Sequence, residues 1–157
     1  MLLLASWLGA AILFSAVVAP NVFQVLRAFD LPNANEIAGT IVTRTLSVVN
    51  TAGFIVGLLL VITAFGLKAS YRQRSFFFQI LMLMILLIAT AVGEWVIAAK
   101  MRGLRAVMRL PIDQVALNEP NRMAFATLHG YSVAALGIAI VVALIAFFLV
   151  ANRVKPN

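Results

Sequence analysis

Of the ionisable side chains in or beside the apolar runs, two are the most telling: Glu94, near the end of one run, and His129, near the start of another. A carboxylate in such a setting is costly unless it is paired, hydrated or protonated. On one continuous helix residues 94, 98, 101 and 105 share a face, which puts Arg105 beside the same pocket as Glu94. His129 begins its run on the side of the 100–124 segment, and Arg44 and Asn50 begin a third run from that side. The expectation is a polar cluster of Glu94, Arg44, Asn50, Arg105 and His129 near one membrane face, able to handle a small molecule or an ion. The alternative is a set of separate interface residues whose long side chains reach into lipid headgroups.

Catalysis has little to work with. Ser132 follows His129 by three residues, but no acidic group stands beside them to orient the imidazole, and no nucleophile elbow is present. There is no Gly-rich phosphate loop and no HExxH pair. The absence of Cys removes thiolate chemistry, disulfides and Cys-ligated zinc within the chain. His129 is the single His, so one chain cannot supply bis-His ligation. A haem or copper site would need His129 with Met101, Met108 or Met123. No catalytic residue, metal or cofactor is expected.

These residues must be positioned by something that is not a water-soluble core. The 157 residues are 64% hydrophobic and 11% charged, against about 45–50% and about 25% in soluble domains. Lipid is the natural solvent for such a chain, and one domain over 1–157 the natural count. The net charge of +7 would suit a nucleic-acid face. Here, however, the basic residues gather at the ends of apolar runs, where Lys and Arg meet headgroups and set topology. Lys100, Arg102, Arg109, Lys68, Arg72 and Arg74 are therefore expected to contact headgroups, anionic ones included, and no nucleic-acid partner is expected.

A spanning helix needs about 20 mostly apolar residues. Four windows satisfy this, at about 2–26, 41–67, 76–99 and 124–151. The expected fold is all-α: a polytopic membrane protein, an antiparallel four-helix transmembrane bundle. The first window reads as a retained helix rather than a secretory signal, because no Lys or Arg precedes it and Pro20 follows Val17-Val18-Ala19. Pro20 should kink it near Ala16 to Pro20, and Trp7 should sit near an interface. Asp30, Pro32, Asn33 and Asn35 mark a loop, with Asn33 or Asn35 as the next cap. In the second window Thr43, Ser47 and Asn50 share a face, and Gly53 and Gly57 form a GxxxG, read as packing within the chain before dimerisation. Ala89 and Gly93 repeat that spacing in the third.

Between the third and fourth windows, Arg102, Arg105 and Arg109 lie on one helical face and Met101, Leu104 and Met108 broadly on another. That is the pattern of a short amphipathic helix in the headgroup layer, ended by Pro111. Trp95 and Tyr131 read as interfacial anchors. Four spans place both termini on one side, with Lys68, Arg72, Arg74, Arg153 and Lys155. Arg27, Lys100, Arg102, Arg105, Arg109, Arg122 and Arg44 fall on the other. The short acid-free 68–75 loop favours cytoplasmic termini in a bacterial inner membrane.

Taken in order, Trp7-Leu8-Gly9, Ala19-Pro20-Asn21-Val22-Phe23, Ala38-Gly39, Trp95, Met101-Arg102-Gly103-Leu104-Arg105 and Phe125-Ala-Thr-Leu-His129-Gly130-Tyr131-Ser132 resemble Domain of unknown function 4149, the transmembrane protein 205-like family. The resemblance covers nearly the whole chain and implies a four-helix membrane protein, without implying a particular chemistry. Where that family commonly has a Pro after the third-helix Trp, this chain has Ala98, so no kink is carried over. The first expectation is a membrane protein without catalysis: an accessory or scaffolding subunit of a membrane complex, partnered by lipids and by other subunits or itself. The second is ligand or ion handling by the Glu94, Arg105 and His129 patch. The third is a haem or metal redox protein using His129.

Overall fold

Backbone N–H and C=O groups in lipid find partners only within a helix or a closed barrel. This chain takes the helical solution. A computed structural model describes residues 1–66 and 73–151, and no strand occurs among them. Four rods form an antiparallel bundle: α1 (Leu2–Ala28), α2 (Ala34–Gly66), α3 (Phe76–Val107) and α4 (Pro120–Ala151). Each is long and apolar enough to cross a membrane. At 1.5 Å per residue they measure about 40–50 Å, against about 30 Å of hydrocarbon. The rod ends therefore overshoot the apolar layer, which leaves room for polar side chains on helical backbone.

The boundaries differ from the hydropathy windows where polar residues begin a helix. The rod α2 begins at Ala34, before the hydropathy window near Ile41 but where a cap at Asn33 places it, and α4 begins at Pro120 rather than Ala124. Pro120 suits a first helical position, where its missing N–H is no loss. Glu119 before it accepts the Arg122 N–H at 2.8 Å, which satisfies one orphan donor. The turn before α2 places Asp30 at φ 50°, a left-handed conformation that Asp tolerates better than most residues. The expected contacts of Lys68 and Arg72, the loop around them, and the basic stop at Arg153 and Lys155 lie outside the described residues, as does the side chain of Arg74.

Two rods carry a wider turn. In α1 the residues Phe14–Val18 are π-helical, with α geometry over Leu2–Leu13 and Ala19–Ala28. The expected proline kink thus takes the form of a π turn just before Pro20. Ser15 Oγ–H donates to Ala11 O at 2.8 Å, and Asn21 Nδ2–H to Val17 O at 2.7 Å. In α3 the residues Val92–Ala98 are π-helical and Ala99–Val107 return to α geometry. The segment expected as a separate amphipathic helix therefore continues α3 without a break.

The core is made by α1, α2 and α4 closing on α3. Trp7 is 5% exposed and its Nε1–H donates to Val49 O at 2.8 Å. This corrects the interfacial position expected for it. An indole is admitted to the interior once its N–H has a partner, and here a carbonyl of α2 supplies one. The close approach depends on Gly53, where an added Cβ would lie 2.7 Å from the Trp7 ring. Gly57 meets Leu87 in the same way, at 3.1 Å. The GxxxG is therefore taken up by packing within the chain.

Candidate functional site

The loop between α3 and α4 is fastened to the start of α2 by two carboxylates. Asp113 lies in a short 3-10 turn, Ile112–Gln114. Its Oδ2 accepts the Glu36 N–H at 3.0 Å and its Oδ1 accepts from Asn35 Nδ2 at 2.6 Å. It thus caps the N-terminus of α2 from a distant part of the chain, where a negative charge also meets the positive end of the helix dipole. Partial burial raises the Asp113 pKa. The hydrogen bonds from Asn35 and from the backbone N–H groups outweigh that and hold the carboxyl below the usual range. In exchange, Glu36 of α2 reaches back. Its Oε2 accepts the Ile112 N–H at 3.0 Å, and its Oε1 pairs with Arg105 Nη2 at 2.9 Å. Arg105 also donates through Nη1 to Met108 O and Leu110 O.

Beside this fastening, and lined in part by it, is an open cavity of about 750 Å³ bounded by all four rods, within the range typical of small-molecule sites. Five arginines line it: Arg27 from α1, Arg44 from α2, Arg102 and Arg105 from α3, and Arg122 from α4. His129 and one carboxylate, Glu36, complete its ionisable lining. Since Glu36 is matched to Arg105, four guanidinium groups remain without a lining carboxylate opposite them. Arg27 donates to Asn35 Oδ1 at 2.8 Å and lies 5.6 Å from the centre of the Phe23 ring. Arg122 donates to Val115 O. Arg44 has no hydrogen-bond or ion-pair partner among the described residues. Guanidinium groups converging on one cavity match the planar oxygens of phosphate or carboxylate.

Glu94 lies one layer deeper. It is 13 positions before the end of α3 (107 − 94), about 20 Å along the axis at 1.5 Å per residue. Its side chain is 9% exposed. Oε1 accepts from Ser47 Oγ at 2.9 Å and from Arg102 Nη1 at 3.4 Å, while Oε2 has no partner among the described residues. Asn50 is buried beside it, with Nδ2 3.1 Å from where a Cβ on Gly93 would stand. The Arg102 side chain is 54% exposed, and its single long contact with Glu94 is of the weak, partly solvated kind. Arg102 thus belongs to both layers, touching Glu94 and lining the cavity.

The expected cluster is divided between these layers. Arg44, Arg105 and His129 line the cavity, whereas Glu94 and Asn50 stand in the buried layer. Arg105 pairs with Glu36, and Arg102 takes the place beside Glu94. The π turn is the cause: one added residue per turn across 92–98 advances the helical phase, so position 102 faces Glu94 where α geometry would bring 101. Lys100 and Arg109 are exposed on α3 and beyond its end, and Trp95 and Tyr131 are exposed as well. Arg27, Glu36, Asp113 and Arg122 were missed as site residues. The signal available was acids flanking two helix starts, on the side of the bundle where most arginines fall. Among the described residues no three His, Cys, Asp or Glu side chains gather as a metal ion would need.

A family model, Domain of unknown function (DUF4149), matches residues 2–109. No curated protein and no solved structure matches the chain.

Proposed function

The chain belongs to the family of Domain of unknown function 4149, and we propose that this multi-pass membrane protein binds the anionic head of a ligand in the arginine-lined cavity at one end of its bundle. The protein holds its ligand and carries out no bond chemistry. The observation that supports this most is the charge imbalance of the lining: five arginines and one carboxylate line it, Arg102 has only a 3.4 Å contact with Glu94 outside the lining, and Arg44 has no hydrogen-bond or ion-pair partner among the described residues. Guanidinium groups gathered on one open cleft with too few carboxylates repel each other, less so where they are solvent-exposed, as Arg27, Arg44 and Arg102 are, and an anion that matches them stabilises the arrangement.

The Glu36–Arg105 and Asp113–Asn35 contacts serve as the frame, since they lock the α3–α4 loop over the start of α2. Arg27, Arg44, Arg102 and Arg122 are the ligand contacts, with His129 at the cavity wall. The competing role, an accessory or scaffolding subunit, drew support from small-residue helix faces. Gly53, Gly57 and Gly93 are occupied by Trp7, Leu87 and Asn50 of the same chain, so the cavity carries the proposal instead. With cytoplasmic termini in a bacterial inner membrane, the cavity opens at the outer face. Reporter fusions at the two ends and at Leu117 check that orientation.

The test is thermal stabilisation of the purified protein in a neutral detergent by phosphate-bearing and carboxylate-bearing compounds, water-soluble and lipidic. At least one class should raise the midpoint, and Arg44→Glu should abolish the rise without lowering the ligand-free midpoint, since it relieves the repulsion. Absence of stabilisation by every anion, or an undiminished response in Arg44→Glu, would refute the proposal.

A further inference from the structure

We infer that the ligand is a phospholipid of the surrounding membrane, its phosphate among the arginines and its acyl chains leaving sideways between α1 and α4; this rests on the cavity being an anion site, as proposed above. The first half of α1 buries Leu4, Trp7, Leu8 and Ala11, with Phe14 at the π turn, and it packs against both α2 and α4. Past that turn the character changes. Ala19–Ala28 buries no residue, and its main neighbour is α2. The rod thus leans off α4 in its second half, and the cavity lies in the wedge that results. Phe23 and Arg27 line it from α1, and Arg122, Phe125, Ala126 and His129 from α4.

The order of residues along the two walls matches a lipid. Because α1 runs towards the cavity end and α4 starts there, Arg27 and Arg122 stand near the rod tips, while Phe23, Phe125 and Ala126 stand about one turn deeper. The rods overshoot the hydrocarbon, which brings the tips to headgroup level and the aromatic pair to the start of the acyl region. A soluble anion would need the arginines alone. A charged tier above an aromatic tier, on both sides of a lateral opening, suits a molecule with a phosphate head and an apolar tail. Arg44 reaches the head from α2, and Arg102, loosely held by Glu94, from α3.

The experiment titrates glycerol 3-phosphate, dioleoyl phosphatidic acid and dioleoyl phosphatidylcholine into the purified full chain in neutral detergent, for the wild type and Ala126→Trp. Phosphatidylcholine has the same chains as phosphatidic acid and so controls for partition into the micelle. Phosphatidic acid should bind about tenfold or more tighter than phosphatidylcholine, the factor expected of one charge-assisted hydrogen bond. Ala126→Trp fills the opening with an indole. It should weaken phosphatidic acid by a similar factor more than it weakens glycerol 3-phosphate. If glycerol 3-phosphate binds as tightly as phosphatidic acid, or Ala126→Trp leaves phosphatidic acid unaffected, the lipid inference fails and the anion site stands. If neither phosphate compound binds, both fail. A second measurement does not depend on the variant folding: phosphatidic acid with a photoreactive group on the first few carbons of one chain should label α1 beyond the π turn and the facing turns of α4. Labelling confined to α2 and α3 would overturn the sideways exit.

Discussion

Replacing Gly53 by Ala should be among the most damaging single-methyl additions to this protein. The new Cβ would stand 2.7 Å from Cε2 and Nε1 of Trp7 and 2.8 Å from Cζ2. A flexible side chain could retreat, but this ring is rigid and buried, and its Nε1–H is held by Val49 O at 2.8 Å. Moving the ring breaks that bond and leaves a buried donor unpaired, at about 1–3 kcal/mol. Leaving it in place forces the helices apart, at an overpacking cost of about 1–3 kcal/mol. The gain from replacing Gly within a helix is only about 0.5–1 kcal/mol, so a net loss of about 1–2 kcal/mol is expected. Two sites on the same scaffold calibrate it. At Gly57 the added methyl meets Leu87 Cδ2 at 3.1 Å, a branched tip that can rotate, so Gly57→Ala should stay within about 1 kcal/mol of the wild type. At Gly137 nothing lies within 4 Å, and Gly137→Ala should be neutral or slightly stabilising. Unfolding of the three variants in mixed micelles of mild detergent and dodecyl sulfate, followed by circular dichroism, gives the ranking. A Gly53→Ala protein as stable as Gly137→Ala would show that α1 and α2 do not meet as described.

The remaining expectations concern the cavity and its frame. Asp113→Asn should cost about 1 kcal/mol near neutral pH, because one of the two accepting oxygens becomes an amide donor and its hydrogen bond is lost. Because the Asp113 pKa is lowered on folding, its contribution is complete above the ordinary value of 3.8 and is lost as pH falls through the folded value. The gap between wild type and variant should therefore close in acid, and a gap constant from neutral pH down to about pH 2 would contradict the assignment. Glu94→Gln should fold normally and, by releasing Arg102, tighten anion binding by up to about fivefold, the upper worth of a partly exposed ion pair; titration giving weaker binding would contradict this. The purified protein should show no Soret band, and a strong band would bring back His129 and Met101 as haem ligands.

The architecture was legible in the sequence because lipid makes a blunt demand: long apolar runs must coil. Hydropathy records what meets lipid, however, and says little about which face of a rod meets another rod. That is why Trp7 was expected at an interface. Its burial depends on Gly53 and on Val49 O, two features of a different helix. The hydropathy windows begin later than the helices for a related reason, since polar residues on helical backbone beyond the hydrocarbon look like loop; at Ala34 the capping residues Asn33 and Asn35 mark the start, whereas Pro120 lies four residues before its window. Of the expected cluster, Arg44, Arg105 and His129 line one cavity. The pairing was not legible. The π turn at Val92–Ala98 shifts the register by a residue, so spacing from Glu94 pointed to Arg105 where Arg102 stands. The contacts of Asp113 with Asn35 and Glu36 join residues 78 and 77 positions apart, beyond the reach of local periodicity.

Native mass spectrometry of the protein released from its own membrane in a mild neutral detergent tests the central claim most directly. The wild type should carry a phosphate-containing adduct of defined mass, and Arg44→Glu, prepared identically, should lose it. A bare wild-type protein, or the same adducts on both proteins, would contradict an anion site among these arginines.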